Sequence, residues 1–193
     1  MLMRIAVVGP QNTGKSTFVR DFIAAFPQFS TPTESYRDVV RKHNLQINQL
    51  TGTESQRHIR EFMREQIATA SDNTIFDRCL IDNYMYTRFG FEKGNVEEAF
   101  LRESEAIMHE TAGQIDLYLF IPSALSIPLE DDALRDTTPA YVDVVNRTCI
   151  EIIFSLIRSK GIDVEVIGGT REERIIAVRA MLARRGVAVE SPH

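Results

Sequence analysis

Nine consecutive residues carry the clearest chemistry in the chain: Gly9-Pro10-Gln11-Asn12-Thr13-Gly14-Lys15-Ser16-Thr17. A glycine, four intervening residues and then Gly-Lys-Ser make a loop whose backbone N–H groups turn inward around phosphate oxygens. A helix that starts inside such a loop aims its positive end at the same anion. Lys15 is expected to reach the β- and γ-phosphates of ATP, the Ser16 hydroxyl to ligate Mg²⁺, and Thr17 to reach the α-phosphate. Gly9, Asn12, Thr13 and Gly14 complete the cradle. Guanine-selective GTPases carry an Asn/Thr-Lys-x-Asp element that this sequence lacks, so the expected donor is ATP.

Three further groups could act on what the loop holds. Asp77 closes the apolar run Thr74-Ile75-Phe76, where a carboxylate can hold Mg²⁺ or orient an acceptor; an ordinary strand-end aspartate is the plainer alternative. The next residue is Arg78 rather than the glutamate that polarises water in many ATPases, and a cation there suits an anionic phosphate. Glu34 and Arg37 stand one helical turn apart, as acceptor base and acceptor clamp or simply as a solvated ion pair. Residues 123–138 read as a mobile lid whose Arg135 closes over the transferring phosphoryl group, or else as a charged surface loop.

These residues need elements to position them. Apolar runs at residues 4–8, 74–77, 116–121 and 163–167 predict buried strands, with a fifth short one at 30–34. Helical periodicity predicts helices at 15–25, 80–88, 96–111, 139–160 and 171–185, and a helical pattern from 36 to 73 that breaks near 51–53, its longest piece at 54–71. Thr138-Pro139 and the capping box Thr170-Arg171-Glu172-Glu173 mark two of the starts. Strands alternating with helices imply an α/β fold, a parallel sheet of about five strands covered by helices on both faces, in a single domain over residues 1–193. Ligands in such sheets sit beyond the carboxyl ends of the strands. Gly9, Glu34, Asp77, Pro122 and Gly168 fall at those ends, which gathers the chemistry at one edge.

Composition narrows the partners. A net charge of −5 argues against broad nonspecific nucleic-acid binding, which needs basic surface to displace counterions. No apolar run reaches the ~18 residues of a membrane span, so a cytoplasmic protein is expected. Cys79 and Cys149 have no metal-ligand spacing and are read as reduced, buried thiols. The four histidines receive no role, and Tyr84, Tyr86, Phe89 and Phe91 are read mostly as core.

Taken together, the loop, the element Glu34-Ser35-Tyr36-Arg37, the strand ending at Asp77 and the string Asp132-Ala133-Leu134-Arg135 resemble the P-loop kinases related to the nicotinamide riboside kinase domain of bacterial NAD-biosynthesis regulators. More distantly they resemble thymidylate and deoxynucleoside kinases. The resemblance spans residues 4–185. It implies ATP and Mg²⁺ as cofactors, and transfer of the γ-phosphoryl group to a hydroxyl or phosphate of a nucleoside-like acceptor. Lys15, Asp77, Arg135 and Glu34 would be catalytic, Ser16 and Asp77 metal ligands, and Glu34, Arg37 and Arg78 acceptor contacts. Ala133 departs from the family's Asp-Gly-x-Arg lid, and Phe76-Asp77-Arg78 is closer to deoxynucleoside kinases. Two other readings follow from the same residues. One is a kinase for a hydroxymethylated base in DNA, using Arg37, Arg41, Lys42, Arg57, Arg60 and Arg64 as phosphate contacts. The other is a nucleotide-dependent regulatory module without transfer chemistry. The residues leave the oligomeric state open, with a homodimer among the options.

Overall fold

All four residues of Ile5–Val8 (β1) are buried, so the sheet that contains them must be covered on both faces. The computed structural model, which describes residues 2–123 and 138–187, provides that cover. β1 lies between β2 (Ile75–Asp77) and β3 (Leu117–Phe120), and β4 (Val164–Val166) follows β3, giving the order β2-β1-β3-β4. Every pairing is parallel, with Ile5 opposite both Ile75 and Leu117, and Tyr118 opposite Val164. Parallel strands need crossovers, and among the described residues six helices supply them: α1 (Lys15–Ala25), α2 (Tyr36–His43), α3 (Thr53–Thr69), α4 (Leu80–Glu92), α5 (Glu98–Thr111) and α6 (Pro139–Lys160); α7 (Arg171–Arg184) follows β4.

Alternation along β1 divides the core. Ile5 and Val7 pack with Phe18, Phe22, Val178 and Leu182 under α1 and α7. Ala6 and Val8 pack with Ile59, Met63, Ile81, Met85 and Val145 under α3, α4 and α6. Phe22 is wholly buried among Phe18, Phe26 and Phe29, and Phe22→Ala would cost about 3–5 kcal/mol. α4 is buried nearly all round, from Leu80 to Gly90, because α3, α5 and α6 all pack against it. Polar residues on such a helix need partners or a cavity to face. Asp82 and Asn83 are two of them.

One expected element fails to form. The strand at 30–34 is reduced to a single parallel bridge between Ser30 and Thr74. Ser30 N donates to Asn73 O and Ile75 N donates to Ser30 O, each at 2.9 Å. Pro32 has no N–H to continue that ladder, so the chain leaves the sheet and the strand count is four rather than about five. The broken helical stretch resolves into α2, ended by Asn44 at φ 49, a 3₁₀ turn Asn48–Leu50, and α3. Cys79 and Cys149 are buried free thiols, as expected. Among the described residues no helix is long and apolar enough to cross a membrane. The expected lid, including Arg135, lies almost wholly outside the described residues.

Candidate active site

The loop after β1 requires glycine at both ends. Gly9 has φ 143, and a Cβ there would lie 2.3 Å from the Ile121 carbonyl oxygen at the end of β3. Gly14, at φ 80, is the left-handed N-cap of α1, a conformation that costs other residues energy. Lys15 follows as the first residue of α1 and is buried. Its ammonium donates to the Gly9 carbonyl at 2.7 Å and also to the Pro10 carbonyl. Burial, reinforced by the Arg78 charge, lowers its pKa to about 7 against the pull of Asp82 and Asp77. Ser16 is exposed and Thr17 half-buried at the mouth of the loop.

Register brings the second carboxylate beside this loop. Asp77 pairs with Val7, and Arg78 N donates to Val7 O at 3.1 Å. Asp77 Oδ1 is buried without a protein hydrogen-bond partner. Arg78 turns out of the strand at φ 84. Its guanidinium lies 4.8 Å from the Tyr36 ring centre and 5.6 Å from that of Tyr86, with Asp82 at 3.3 Å. Burial opposes that charge, but the tyrosines and the two aspartates outweigh it. Asp82 also accepts from Cys79 N at 3.1 Å, capping α4. Burial raises its pKa against the pull of Arg78 and Lys15.

Two cavities of about 340 Å³ each meet at Ser16 and Arg78. One runs along the phosphate loop, with Arg37 on its wall, to the turn after β4, where Gly169, Thr170, Arg171 and Arg174 line it. The other is lined by Glu34, Tyr36, Gln66 and Asp77. Behind Tyr36 and Arg78 the second cavity adjoins a slot of about 30 Å³ between Tyr36, Tyr86, Ile59 and Met63, with amides at its edge. Asn83 Nδ2 donates to Gln56 Oε1 at 2.7 Å and to Gln56 O at 3.0 Å, while Gln56 Nε2 donates to Thr51 Oγ1 at 2.6 Å. Both ends of the Gln56 amide are therefore engaged. Tyr86 ties the slot to the phosphate loop by donating to Gln11 Oε1 at 3.0 Å.

Most of the residues singled out in the sequence converge here. Lys15, Ser16, Thr17, Asn12, Thr13, Gly14 and Arg37 line the first cavity, and Glu34 and Asp77 the second. Glu34 and Arg37 are divided between the two and form no ion pair among the described residues. The cations proposed for DNA do not make a basic stripe. Arg41 pairs with Asp38, Arg57 with Glu54 and Glu103, and Arg64 with Glu61. Arg60 is buried against Glu61 and Glu103. Sequence reasoning missed Arg174, Asp82, Gln56 and Asn83, and placed Tyr86 in the core. A signal existed for two of them: Asp82 stands at the third position of α4, and Arg174 one residue beyond the capping box that opens α7.

The family model described as AAA domain matches residues 4–174. No curated protein matches the sequence. Among solved structures, the chain is similar to a deoxyadenosine kinase from M. mycoides with bound dATP, at 15% identity and TM-score 0.71 over 94% of this chain and 99% of that one. It is similar to NadR in complex with NR at 19% identity and TM-score 0.70, over 99% of this chain and 54% of NadR, so it spans about half of that protein. Thymidylate kinase from Candida albicans matches at 13% identity and TM-score 0.67, over 98% and 95%. These likenesses show the fold: a parallel sheet between helical layers, as in P-loop nucleoside and nucleotide kinases.

Proposed function

Since the chain belongs to this AAA-domain family, we propose that it is an ATP- and Mg²⁺-dependent kinase that moves the γ-phosphoryl group to a hydroxyl on a small nucleoside-like acceptor. The observation that carries the reading is the meeting of two cavities at Ser16 and Arg78. A hydrolase needs room only for water beyond the γ-phosphate. A transferase needs a second pocket, and about 340 Å³ is the size of a small-molecule site.

The donor's phosphates lie along the loop, where Lys15 leaves the Gly9 and Pro10 carbonyls for the β- and γ-oxygens. Mg²⁺ fits the wall between the cavities, because Asp77 Oδ1 is a buried anionic oxygen with no protein donor and the Ser16 hydroxyl lines the same cavity. Ser16 and Asp77 would hold the ion, which neutralises charge on the phosphate oxygens. Transfer breaks the bond from the γ-phosphorus to its bridging oxygen and forms one to the acceptor oxygen. Glu34, exposed on the acceptor cavity, takes the acceptor's proton. Arg37 and Arg78 offset the phosphoryl charge from the two sides, and Arg135 closes over it.

The acceptor's planar ring points toward the slot, and its 30 Å³ admits a ring only as Tyr36 and Arg78 shift. The paired cations of α2 and α3 favour a small molecule over DNA. The direct test is incubation with γ-labelled ATP and a panel of nucleosides, nucleotides and hydroxymethylated DNA. Label should enter a nucleoside, with little change between about 50 and 200 mM salt, because few phosphates are neutralised. Label confined to DNA, or nucleotide bound with no acceptor phosphorylated, would overturn this reading.

A further inference from the structure

Arg174 joins the phosphate loop to the far wall of the donor cavity. It is 6% exposed and sits in the first turn of α7. Its Nη1 donates to the Thr13 carbonyl at 2.9 Å, and its Nε donates to the Gly169 carbonyl at 2.9 Å. Thr13 belongs to the phosphate loop, and Gly169 to the turn after β4. Both flank the same cavity, together with Arg174 itself.

The placement is not one that packing alone would select. A Cβ on Gly14, the N-cap of α1, would lie 3.2 Å from Arg174 Nη1, so the guanidinium stands against the positive end of that helix. A cation there is unfavourable unless carbonyl oxygens or an anion offset it. The turn it grips is itself fixed. Gly169 has φ 87, and a Cβ there would lie 2.5 Å from Glu173 Oε2, whose carboxylate accepts from Thr170 N at 2.7 Å in the capping box. One guanidinium therefore spans a rigid turn and the loop that binds phosphate. Lysine could not do this, since its single nitrogen lacks the planar fork.

We infer that Arg174 is a positioning residue that sets the spacing between the phosphate loop and the Gly169–Arg171 turn, and so makes binding of the donor's nucleoside part add to binding of its phosphates. The inference rests on the reading above only insofar as the phosphate loop binds nucleotide. A donor held by the loop must extend its ribose and base along the cavity toward Asp21, Thr170 and Arg171, where the bidentate Arg171–Asp21 pair at 2.7 and 2.8 Å closes the outer side. Without the strut, each wall keeps its own structure but the separation between them loosens.

The test compares a whole donor with its phosphate part. Dissociation constants for Mg-ATP and for Mg-tripolyphosphate are measured by calorimetry on wild type, Arg174→Met and Arg174→Lys. Arg174→Met, which removes both of the guanidinium's hydrogen bonds, should weaken Mg-ATP by about tenfold or more, while tripolyphosphate changes by less than about twofold. Arg174→Lys, which reaches one carbonyl at a time, should fall nearer to Met than to wild type, and it carries the comparison alone if Arg174→Met does not fold. Equal weakening of both compounds would make Arg174 a support of the phosphate loop and overturn the inference, as would no weakening of either. A wild-type protein that binds neither compound would overturn the nucleotide reading itself. Binding without phosphoryl transfer would overturn the kinase reading and leave Arg174 in its place.

Discussion

Lys15 Nζ donates to the Gly9 carbonyl at 2.7 Å, so the loop's own backbone holds the ammonium that, on the proposed reading, the donor's phosphates would have to win. With a pKa lowered to about 7 by burial, Lys15 sheds its proton across the neutral range. The unfolded chain, with lysine at its ordinary value of 10.5, binds more protons over that window. Fold stability should therefore rise as pH increases from about 7 to 10.5. Phosphate favours the charged form, so nucleotide binding should take up a proton above pH 7 and weaken as pH rises, by up to about tenfold per unit. Calorimetry in buffers of different ionisation enthalpy checks this; binding with no proton uptake at pH 8 would count against it.

Mg-ATP at about 100 times its dissociation constant should stabilise the fold by ~2.7 kcal/mol, raising the melting temperature by roughly 5–10 °C. Lys15→Ala should abolish most of that rise. Thermal denaturation of the two proteins with and without Mg-ATP reads it directly.

Asp77→Asn keeps the shape of the side chain but removes the anionic oxygen that has no protein partner. Turnover should fall by about two orders of magnitude while nucleotide still binds. The loss should be accompanied by a higher Mg²⁺ requirement, seen by titrating the metal at fixed ATP. Unchanged activity would return Asp77 to the role of a strand-end residue.

Asn83→Leu removes the amide that fixes Gln56 at the edge of the slot. The Michaelis constant for the acceptor should rise by roughly tenfold or more, with that for ATP nearly unchanged. A rise confined to ATP would place the acceptor's ring elsewhere.

Arg135→Ala should lower turnover by roughly 10³-fold with a much smaller effect on ATP binding, and Arg135→Lys should rescue poorly because the planar fork is lost. Single-turnover kinetics separate the two effects. A change in ATP binding alone would make this arginine a clamp.

Local signals carried most of the fold. The phosphate loop, the apolar runs of β1 and β3, and the bounds of α1 and α6 could all be read because propensity, capping and burial agree there. The strand at 30–34 could not, since one proline decided whether the ladder continued past Ser30. The slot was illegible for another reason. Gln56, Asn83 and Tyr86 look like ordinary helical residues until α3 and α4 pack together, where Asn83 meets Gln56, and until α4 lies against the phosphate loop, where Tyr86 meets Gln11. Charge was misleading in the same way: the run of arginines on α3 reads as basic, yet Glu103 comes from α5 to balance it.

The pairing of Ile5 with both Ile75 and Leu117 has a consequence for how the molecule is made. The central strand is synthesised long before either neighbour, and at ribosomal speeds it waits on the order of ten seconds for the second of them. Until Ile75 is made, Ile5-Ala6-Val7-Val8 is an apolar segment with no strand to join, and until Leu117 is made it is paired on one edge at most. The bend at Gly9 has nothing to lean on until Ile121 emerges, for it is the Ile121 carbonyl that the loop skirts and the Val8 carbonyl that Ile121 N meets at 3.0 Å. A ligand held by this loop would therefore stabilise the chain only once Ile121 has been made.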